Sequence, residues 1–158
     1  MPCPIRYHFT QRFSVPARKA YEWCTDYDPS DHALMGEVGA ERQINWLTDS
    51  TVILTDAFLV GGSKVEKQKL VQLYPNQLFW VSTHLAGPYK YSQFLYAIRA
   101  VGGKASRLSF TGLQLEYEKK MSEAEVKQLA DKLCKDDAQA WKLLAKAMEK
   151  DLGKKTQK

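Results

Sequence analysis

The chain has 158 residues, of which 44% are hydrophobic and 26% charged, and its formal net charge at pH 7 is +5. These proportions are ordinary for a globular protein and exclude wholesale disorder. A chain of this length typically forms one domain with a sizeable core; we predict that domain over residues 1–153, with residues 154–158 as a frayed, lysine-rich tail.

The sequence also indicates the cellular location of the protein and the redox state of its cysteines. No stretch approaches the roughly 20 apolar residues of a membrane-spanning helix. The opening segment MPCPIRYHFTQRF lacks the apolar run of a signal peptide, so the cytoplasm is the expected location. The three cysteines form neither a CxxC pair nor a zinc-ligand spacing, and Cys24 and Cys134 are predicted to be reduced core residues.

The first 40 residues predict one strand and two short helices. Apolar side chains alternate from Ile5 to Phe13, which is the period of a strand. Ser14 and the proline shortly after it suit the cap and first turn of a helix. The segment TDYDPSDHALMG then predicts a second short helix, capped by Asp28 and ended by Gly36 and Gly39.

Six further strands are predicted after residue 40, because turn signals recur at the interval typical of antiparallel neighbours. These turns lie at residues 48–50, 61–63, 75–77, 87–90 and 102–104. In the last strand the apolar phase flips at Thr111 and Gly112. That flip predicts a β-bulge, and hence a bent strand in a curling sheet.

A long amphipathic helix is predicted to close the chain. Ser122 and Glu125 match the S-x-x-E capping box, and an apolar stripe follows for about seven turns until Gly153. The stripe consists of Val126, Leu129, Ala130, Leu133, Ala140, Trp141, Leu144 and Met148. A helix this long must bury its stripe, and the sheet is the only large apolar surface left to receive it.

The order of these elements resembles the helix-grip superfamily (SRPBCC), which includes START domains, birch-pollen-allergen proteins and polyketide cyclases. The resemblance covers nearly the whole chain and is carried by FSVPARKAYEWCTDY, VILTDAFLVGGSKV, LYPNQLFWV and the closing helix. It implies an α+β fold in which a seven-stranded antiparallel sheet curves around a long C-terminal helix, with two short helices between strands 1 and 2. It also implies an apolar cavity between helix and sheet. These motifs are architectural, so they do not determine an activity.

Asp137 is the most informative functional candidate. A step of about 100° per residue from Val126 places it near the centre of the apolar stripe. Burying a carboxylate alone is costly, so Asp137 must be paired, hydrogen-bonded or exposed to a wet cavity. It is therefore either a polar anchor or acid/base group of the pocket, or half of a structural pair.

The strand faces supply further candidates for the cavity wall. Phe94, Tyr96 and Ile98 are predicted to point inward, because polar residues of the same strand share the opposite face. The strand at residues 78–85 has two possible inward faces, and only one of them brings His84 into the pocket as a proton donor. The predicted ligand-binding set is Asp137, Tyr96, Phe94, Ile98, Phe110, Leu133, Trp141 and His84, of which Asp137 and His84 are the catalytic candidates.

Other chemistry is not indicated by the sequence. Asp28, Asp31 and His32 lie close together, but a helix start explains these acids as caps, so neither a metal nor another cofactor is predicted. For Asp56, as for His84, the sequence does not decide whether the side chain points into the cavity or away from it. Nucleophile-elbow, phosphate-loop, dinucleotide and zinc-protease motifs are all missing from the sequence.

Two functions of different classes fit this pattern. The leading hypothesis is binding or transport of a small hydrophobic ligand, lipid-like or aromatic/polyketide-like, oriented by Asp137, Tyr96 and His84. The alternative is an aromatase/cyclase- or dehydratase-type enzyme that acts on a polyketide-like substrate in the same cavity through an acid/base pair. Asp137 has no confirmed catalytic partner in the sequence, which favours binding.

The basic net charge invites a nucleic-acid or membrane-surface function. However, acids interrupt the lysine runs, and the arginines are few and scattered, so no specific nucleic-acid partner and no membrane span are predicted. A cochaperone-like role on a partner protein stays open, and the sequence specifies no oligomeric state.

Overall fold

The computed structural model of the chain describes residues 1–34 and 39–155. Within these ranges the chain forms seven strands and three helices. Their bounds are β1 Cys3–Phe13, α1 Ala17–Thr25, α2 Asp31–Leu34, β2 Glu41–Thr48, β3 Thr51–Val60, β4 Ser63–Tyr74, β5 Phe79–Ala86, β6 Gln93–Val101, β7 Ala105–Glu116 and α3 Glu123–Lys155. None of the helices in these ranges combines the length and the apolar character needed to cross a bilayer.

All strand pairs are antiparallel and form one sheet in the order β1-β7-β6-β5-β4-β3-β2. From β2 to β7 each strand therefore lies beside its predecessor in the chain. β1 closes the sheet beside β7, and α1 and α2 connect it to the opposite edge at β2. The predicted fold, a seven-stranded antiparallel sheet around a long C-terminal helix with two short helices after strand 1, is confirmed.

The hydrophobic core lies between α3, α1 and the inner face of the sheet. Met148 of α3, Phe13 of β1 and Leu108 of β7 are completely buried there, and α1 adds Ala20 and Tyr21. Burial of such side chains is the main favourable term in folding. The cavity adjoins this core, and one side chain each from β3, β4 and β5 belongs to both.

The start of α3 agrees with the capping box, but its end does not agree with the prediction. The Ser122 amide donates to Glu125 Oε2 at 2.8 Å, and the Glu125 amide donates to Ser122 Oγ at 3.2 Å. The helix continues through Gly153 to Lys155 instead of stopping at the glycine. One glycine costs a helix only about 1 kcal/mol, and Leu152 packs on the core just before it. Residues 156–158 of the predicted tail lie outside the described residues.

The short helices also begin later than predicted. Ser14 does not cap α1: its amide donates to Glu149 Oε1 of α3 at 2.9 Å, and the helix starts at Ala17 without a side-chain cap. α2 is regular only from Asp31, but Asp28 makes the bonds of the predicted cap: it accepts a 2.8 Å hydrogen bond from the Ser30 amide, and its own amide donates to Asp31 Oδ2 at 3.0 Å. The predicted end of α2 at Gly36 lies outside the described residues.

The β-bulge predicted at Thr111 and Gly112 is wrong. The pairing of β7 with both neighbours runs through these residues without a shift. The apolar phase flips because Gly112 and Gln114 take inward positions, while the leucines beside them lie on the outer face. A Cβ at Gly112 would come within 2.8 Å of the Tyr7 ring, so the glycine makes room for that ring. The sheet has its irregularities elsewhere, between Trp46 and Thr48 and between Gln68 and Lys69.

Candidate functional site

A cavity of about 290 Å³ lies between α3, the inner face of the sheet and the two short helices. Its wall is built mainly of aromatic rings, contributed by Tyr7, Trp23, Tyr27, Phe58, Trp80, Tyr89, Phe94, Tyr96, Phe110 and Trp141. Aliphatic side chains from β3, β4 and α3 fill the gaps between them. The volume lies at the small end of the range typical of ligand pockets in proteins.

Seven of the eight residues predicted to bind a ligand line this cavity, namely Asp137, Tyr96, Phe94, Phe110, Leu133, Trp141 and His84. Ile98 also points inward, but it is only 3% exposed and packs in the hydrophobic core beyond the cavity wall. The two possible faces of β5 are now distinguished, because Trp80, Ser82 and His84 are buried and line the cavity. His84 is therefore a pocket residue.

The aromatic rings pack into a continuous surface at the centre of the wall. Trp80 and Tyr96 stack with their ring centroids 4.8 Å apart and an interplanar angle of 2°. Trp141 of α3 approaches both rings, at 6.5 and 5.8 Å, and Phe110 meets Tyr96 edge-on at 5.1 Å. Such a surface suits a flat apolar ligand, since stacked and edge-on ring contacts add to the gain from burial.

Asp137 is paired across the cavity wall with a tyrosine. The Tyr7 hydroxyl donates a hydrogen bond of 2.5 Å to Asp137 Oδ2. Burial raises the pKa of Asp137, although the hydrogen bond from Tyr7 and the lysines Lys67 and Lys69 oppose that shift. Burial, followed by the charge of Asp137, also raises the pKa of Tyr7. The pair therefore holds a proton between two oxygens that both face the cavity.

A second polar group is built around Asp56 of β3, which is completely buried. Arg42 binds it through Nε at 2.7 Å to Oδ1 and through a second guanidinium nitrogen at 3.0 Å to Oδ2. Lys69 Nζ lies 2.7 Å from Oδ2, and His32 Nε2 lies 3.1 Å from Oδ1. Burial by itself would raise the pKa of Asp56. Hydrogen bonds from His32 and Arg42, together with the charges of Lys69 and Arg42, outweigh burial and hold this pKa far below its usual range.

His84 lies beside this network. It pairs directly with Lys69 across β4 and β5, and only 6% of its surface is exposed. Its Nδ1 is buried and has no hydrogen-bond partner in the described part of the protein. Burial lowers the pKa of His84 to about 4, with help from Lys69 and Lys67 and against the charge of Asp56. The imidazole is therefore neutral at pH 7.

The acids near α2 that might have bound a metal are engaged in other contacts. Asp28 accepts hydrogen bonds from Ser30, Asp31 Oδ2 lies 3.2 Å from a guanidinium nitrogen of Arg42, and His32 contacts Asp56. Among the described residues no three histidine, cysteine or acidic side chains come together as metal ligands would. All three cysteines are free, and burial raises the pKa of Cys24, so its sulfur is a thiol.

Several cavity residues were not identified from the sequence. Tyr7 was assigned only to an apolar strand face, and Arg42, Lys67 and Lys69 were not singled out at all. Arg42 and Lys67 are the cross-strand neighbours of Asp56. Three charged residues side by side on the inner face of the sheet would have indicated a polar site in the cavity. They can be recognised as neighbours only when the register of the strands is known.

Comparison with known proteins finds similar structures but no similar sequence. No protein-family model matches the chain, and no match was found among curated proteins. The Zhui aromatase/cyclase from a Streptomyces species superposes with a TM-score of 0.77 at 10% identity, over 95% of this chain and 96% of that one. A START superfamily protein from Mycobacterium smegmatis gives a TM-score of 0.71 at 16% identity, over 92% and 98% of the two chains.

Norcoclaurine synthase from Thalictrum flavum gives a TM-score of 0.68 at 12% identity, over 96% of this chain and 98% of that one. At these identities the likeness is one of fold, and it covers almost the full length of each chain. It confirms the resemblance carried by the sequence motifs. The chain has the helix-grip fold that START proteins, polyketide aromatase/cyclases and norcoclaurine synthase share.

Proposed function

We propose that this protein binds a small hydrophobic molecule, lipid-like or aromatic/polyketide-like, in the cavity between α3 and the sheet. The observation that carries the proposal is a cavity of about 290 Å³ lined by aromatic rings and by a few polar side chains. The fold is also that of proteins named as aromatase/cyclases and START proteins, which supports the same class of ligand.

Apolar burial alone would give only weak binding. A ligand that buries roughly 200 Å² of apolar surface gains about 5 kcal/mol, which corresponds to a dissociation constant of a few tenths of a millimolar. Tighter binding needs polar anchors. Asp137 with Tyr7 would supply one such anchor, and His84, whose Nδ1 has no hydrogen-bond partner among the described residues, would supply another.

Native mass spectrometry of the protein purified from its own cells tests the proposal. We expect a retained small organic molecule that is released on denaturation. Ala140→Phe would fill the cavity from α3 and abolish this retention, whereas Ala124→Phe, at an exposed position of the same helix, would not. Equal retention by both folded variants would contradict binding in this cavity.

Asp137→Leu separates an anchoring role of Asp137 from a structural one. The variant is expected to weaken ligand binding, because the hydrogen-bonding carboxylate is replaced by an apolar group. If ligand affinity is unchanged and only the melting temperature moves, Asp137 is a structural partner of Tyr7 and does not orient the ligand.

A second candidate function, an enzyme of the aromatase/cyclase or dehydratase type, rests on one observation. Asp137 and His84 line the same cavity, and the pKa of the carboxyl is raised while that of the imidazole is lowered. Two ionisable groups in one cavity can divide the roles of general acid and general base. A raised pKa makes the carboxyl of Asp137 a better proton donor than an ordinary aspartate, and a neutral imidazole can accept a proton from carbon.

A simple β-hydroxy ketone tests for such chemistry. Dehydration of 4-hydroxy-4-phenylbutan-2-one gives water and a conjugated enone, whose absorbance can be followed directly. An enzyme would accelerate this reaction, and both Asp137→Asn and His84→Gln would remove the acceleration. No acceleration by the wild-type protein, together with tight binding of the substrate, would leave ligand binding as the function.

A further inference from the structure

We propose that the cavity takes an uncharged aromatic molecule that carries a hydroxyl group, and that Asp137 and Tyr96 receive this hydroxyl. The ligand O–H donates a hydrogen bond to Asp137 Oδ1, and the ligand oxygen accepts one from the Tyr96 hydroxyl. This inference rests on the proposed binding function and names the chemical class of the ligand.

The first observation is the balance of charge around the cavity. Among the described residues, three cations and two carboxylates line it, namely Arg42, Lys67, Lys69, Asp31 and Asp137. A third carboxylate, that of Asp56, is completely buried and binds Arg42 and Lys69. A charged ligand would upset this balance and would lose much of its own hydration, so an uncharged ligand is favoured.

The second observation is the unused acceptor of Asp137. Its Oδ2 accepts the hydrogen bond of the Tyr7 hydroxyl, whereas its Oδ1 has no hydrogen-bond partner among the described residues. Oδ1 is also not one of the polar atoms that these residues bury without a partner, so it is open to the cavity that Asp137 lines. A hydroxyl that reaches it forms a charge-assisted hydrogen bond, about twice as strong as one between neutral groups.

The third observation is the hydroxyl of Tyr96. Its ring is held between Trp80, stacked at 4.8 Å, and Phe110, edge-on at 5.1 Å. The hydroxyl has no hydrogen-bond partner among the described residues and is not buried without one, so it too is open to the cavity. Burial, and then the charge of Asp137, raise the pKa of Tyr96, so this oxygen keeps its proton and remains a donor.

The packing of α3 on the sheet brings the two groups together. Trp141 follows Asp137 by one helical turn, so the two side chains share a face of α3. The Trp141 ring lies 5.8 Å from the Tyr96 ring. Of the charged groups, Asp137 has the largest effect on the pKa of Tyr96. From the sheet side, the Phe110 ring adjoins both Tyr7, at 5.6 Å, and Tyr96. One ligand oxygen therefore has an acceptor and a donor beside it.

A hydroxyl matches this pair of groups better than other polar groups do. It donates one hydrogen bond and accepts others, whereas a carbonyl oxygen has no proton to give to Asp137. A ligand carboxylate would be repelled by Asp137. A ligand ammonium would meet the positive charges of Lys67 and Lys69, which already act on Asp137.

The rings around this point would receive the rest of the ligand. Trp80 and Trp141 lie 6.5 Å apart, and Phe94 continues the aromatic wall at 5.9 Å from Phe110. Offset-stacked and edge-on contacts with these rings favour a flat aromatic body. A phenol therefore fits the wall and the two polar groups together.

Three probes with one ring system test the inference. They are 2-naphthol, 2-methoxynaphthalene, which keeps the oxygen but lacks the proton, and the charged 2-naphthoate. Isothermal titration calorimetry at neutral pH should show 2-naphthol binding about tenfold more tightly than either of the others. Asp137→Asn should remove the preference over 2-methoxynaphthalene, because the amide oxygen accepts from Tyr7 and the amide nitrogen, a donor, takes the place of Oδ1. Asp136→Asn, at an exposed position bonded to Lys132, should keep the preference.

Tyr96→Phe provides a second test, which does not depend on the stability of the Asp137 variant. It keeps the stacked ring and removes the donor, so 2-naphthol should bind about fivefold more weakly. Tyr74→Phe, at an exposed position of β4, should leave the affinity unchanged.

The wild-type protein alone can overturn the inference. Equal affinity for 2-naphthol and 2-methoxynaphthalene, or tighter binding of 2-naphthoate, would exclude the hydroxyl subsite and leave cavity binding standing. A preference for 2-naphthol that survives Asp137→Asn would also exclude it. If none of the three probes binds, the proposed binding function fails, and the subsite fails with it.

Discussion

The hydroxyl of Tyr7, in the first strand, donates a hydrogen bond of 2.5 Å to Asp137 Oδ2, in the last helix. The two residues lie 130 positions apart, and their bond joins the edge strand β1 to α3. Among the described residues of α3, Asp137 is the only acidic or basic side chain that lines the cavity. The bond therefore fixes the helix against the sheet and sets the polarity of one cavity wall.

Removal of this hydrogen bond should destabilise the fold. Tyr7→Phe leaves a half-buried carboxylate without its donor, and we expect a loss of about 1.5–3 kcal/mol in the free energy of unfolding, as for hydrogen bonds to charged groups. Urea denaturation measures the loss. Tyr117→Phe is the matched control, because that hydroxyl bonds a backbone carbonyl at the surface; its effect should stay within about 0.5 kcal/mol. Equal losses in the two variants would show that the hydrogen bond of Tyr7 contributes no more to stability than one at the surface.

Gly112 should be intolerant of even one added methyl group. Its inward-facing Cβ would meet two atoms of the Tyr7 ring at 2.8 Å, and β7 is held by strands on both sides. Overpacking of this kind costs about 1–3 kcal/mol. Gly112→Ala should therefore lower the melting temperature and weaken the coupling of Tyr7 to Asp137 in a double-mutant cycle.

Gly103→Ala is the control for that variant. Nothing lies within 4 Å of a Cβ built at Gly103, in the turn before β7. We expect a change of less than about 0.5 kcal/mol there. A Gly112→Ala variant as stable as the control would mean that the Tyr7 ring can move away without cost.

The limits of prediction from the sequence follow from the range of the interactions. The position of Asp137 in the stripe of α3 was predictable, because helical periodicity is local. Its partner Tyr7 was not, since that contact depends on how two distant elements pack. The interpretation of Gly112 as a bulge failed for the same reason: the residue that needs the space belongs to another strand.

The Asp56 network shows how much one register shift decides. β2 and β3 close their hairpin with Thr48 opposite Thr51, and an unshifted hairpin would place Arg42 opposite Ala57. The shift between Trp46 and Thr48 instead places Arg42 opposite Asp56, on the same face. Because side chains alternate between faces, one residue separates a buried ion pair from two unmatched charges.

This network should be essential to the stability of the fold. Asp56→Asn keeps the shape of the side chain but leaves Arg42 and Lys69 without their buried counter-charge. Breaking one partner of a buried ion pair typically costs about 3–5 kcal/mol, and we expect a loss in that range by urea denaturation. Asp49→Asn removes the same charge in the exposed β2–β3 turn and should have an effect below about 0.5 kcal/mol. A loss at Asp56 no larger than at Asp49 would show that the cations are solvated without it.

The protonation of His84 should report directly on the charges of the cavity wall. Burial, and then Lys69 and Lys67, lower its pKa to about 4, while Asp56 acts in the opposite direction. The unfolded chain, with a histidine pKa of 6.5, therefore binds this proton before the folded protein does. The stabilising contribution of neutral His84 is complete above pH 6.5 and is lost as the pH falls from 6.5 towards about 4.

An NMR titration of the His84 ring tests this assignment. The ring should stay neutral through the physiological range, and Lys69→Met should raise its pKa, because the nearer positive charge is removed. Lys64→Met, at an exposed position, should leave the titration unchanged. In parallel, the wild-type protein should lose stability relative to His84→Gln as the pH falls through the same window. A ring that takes up its proton near pH 6.5 in the folded protein would contradict a dry, positively charged wall at this point.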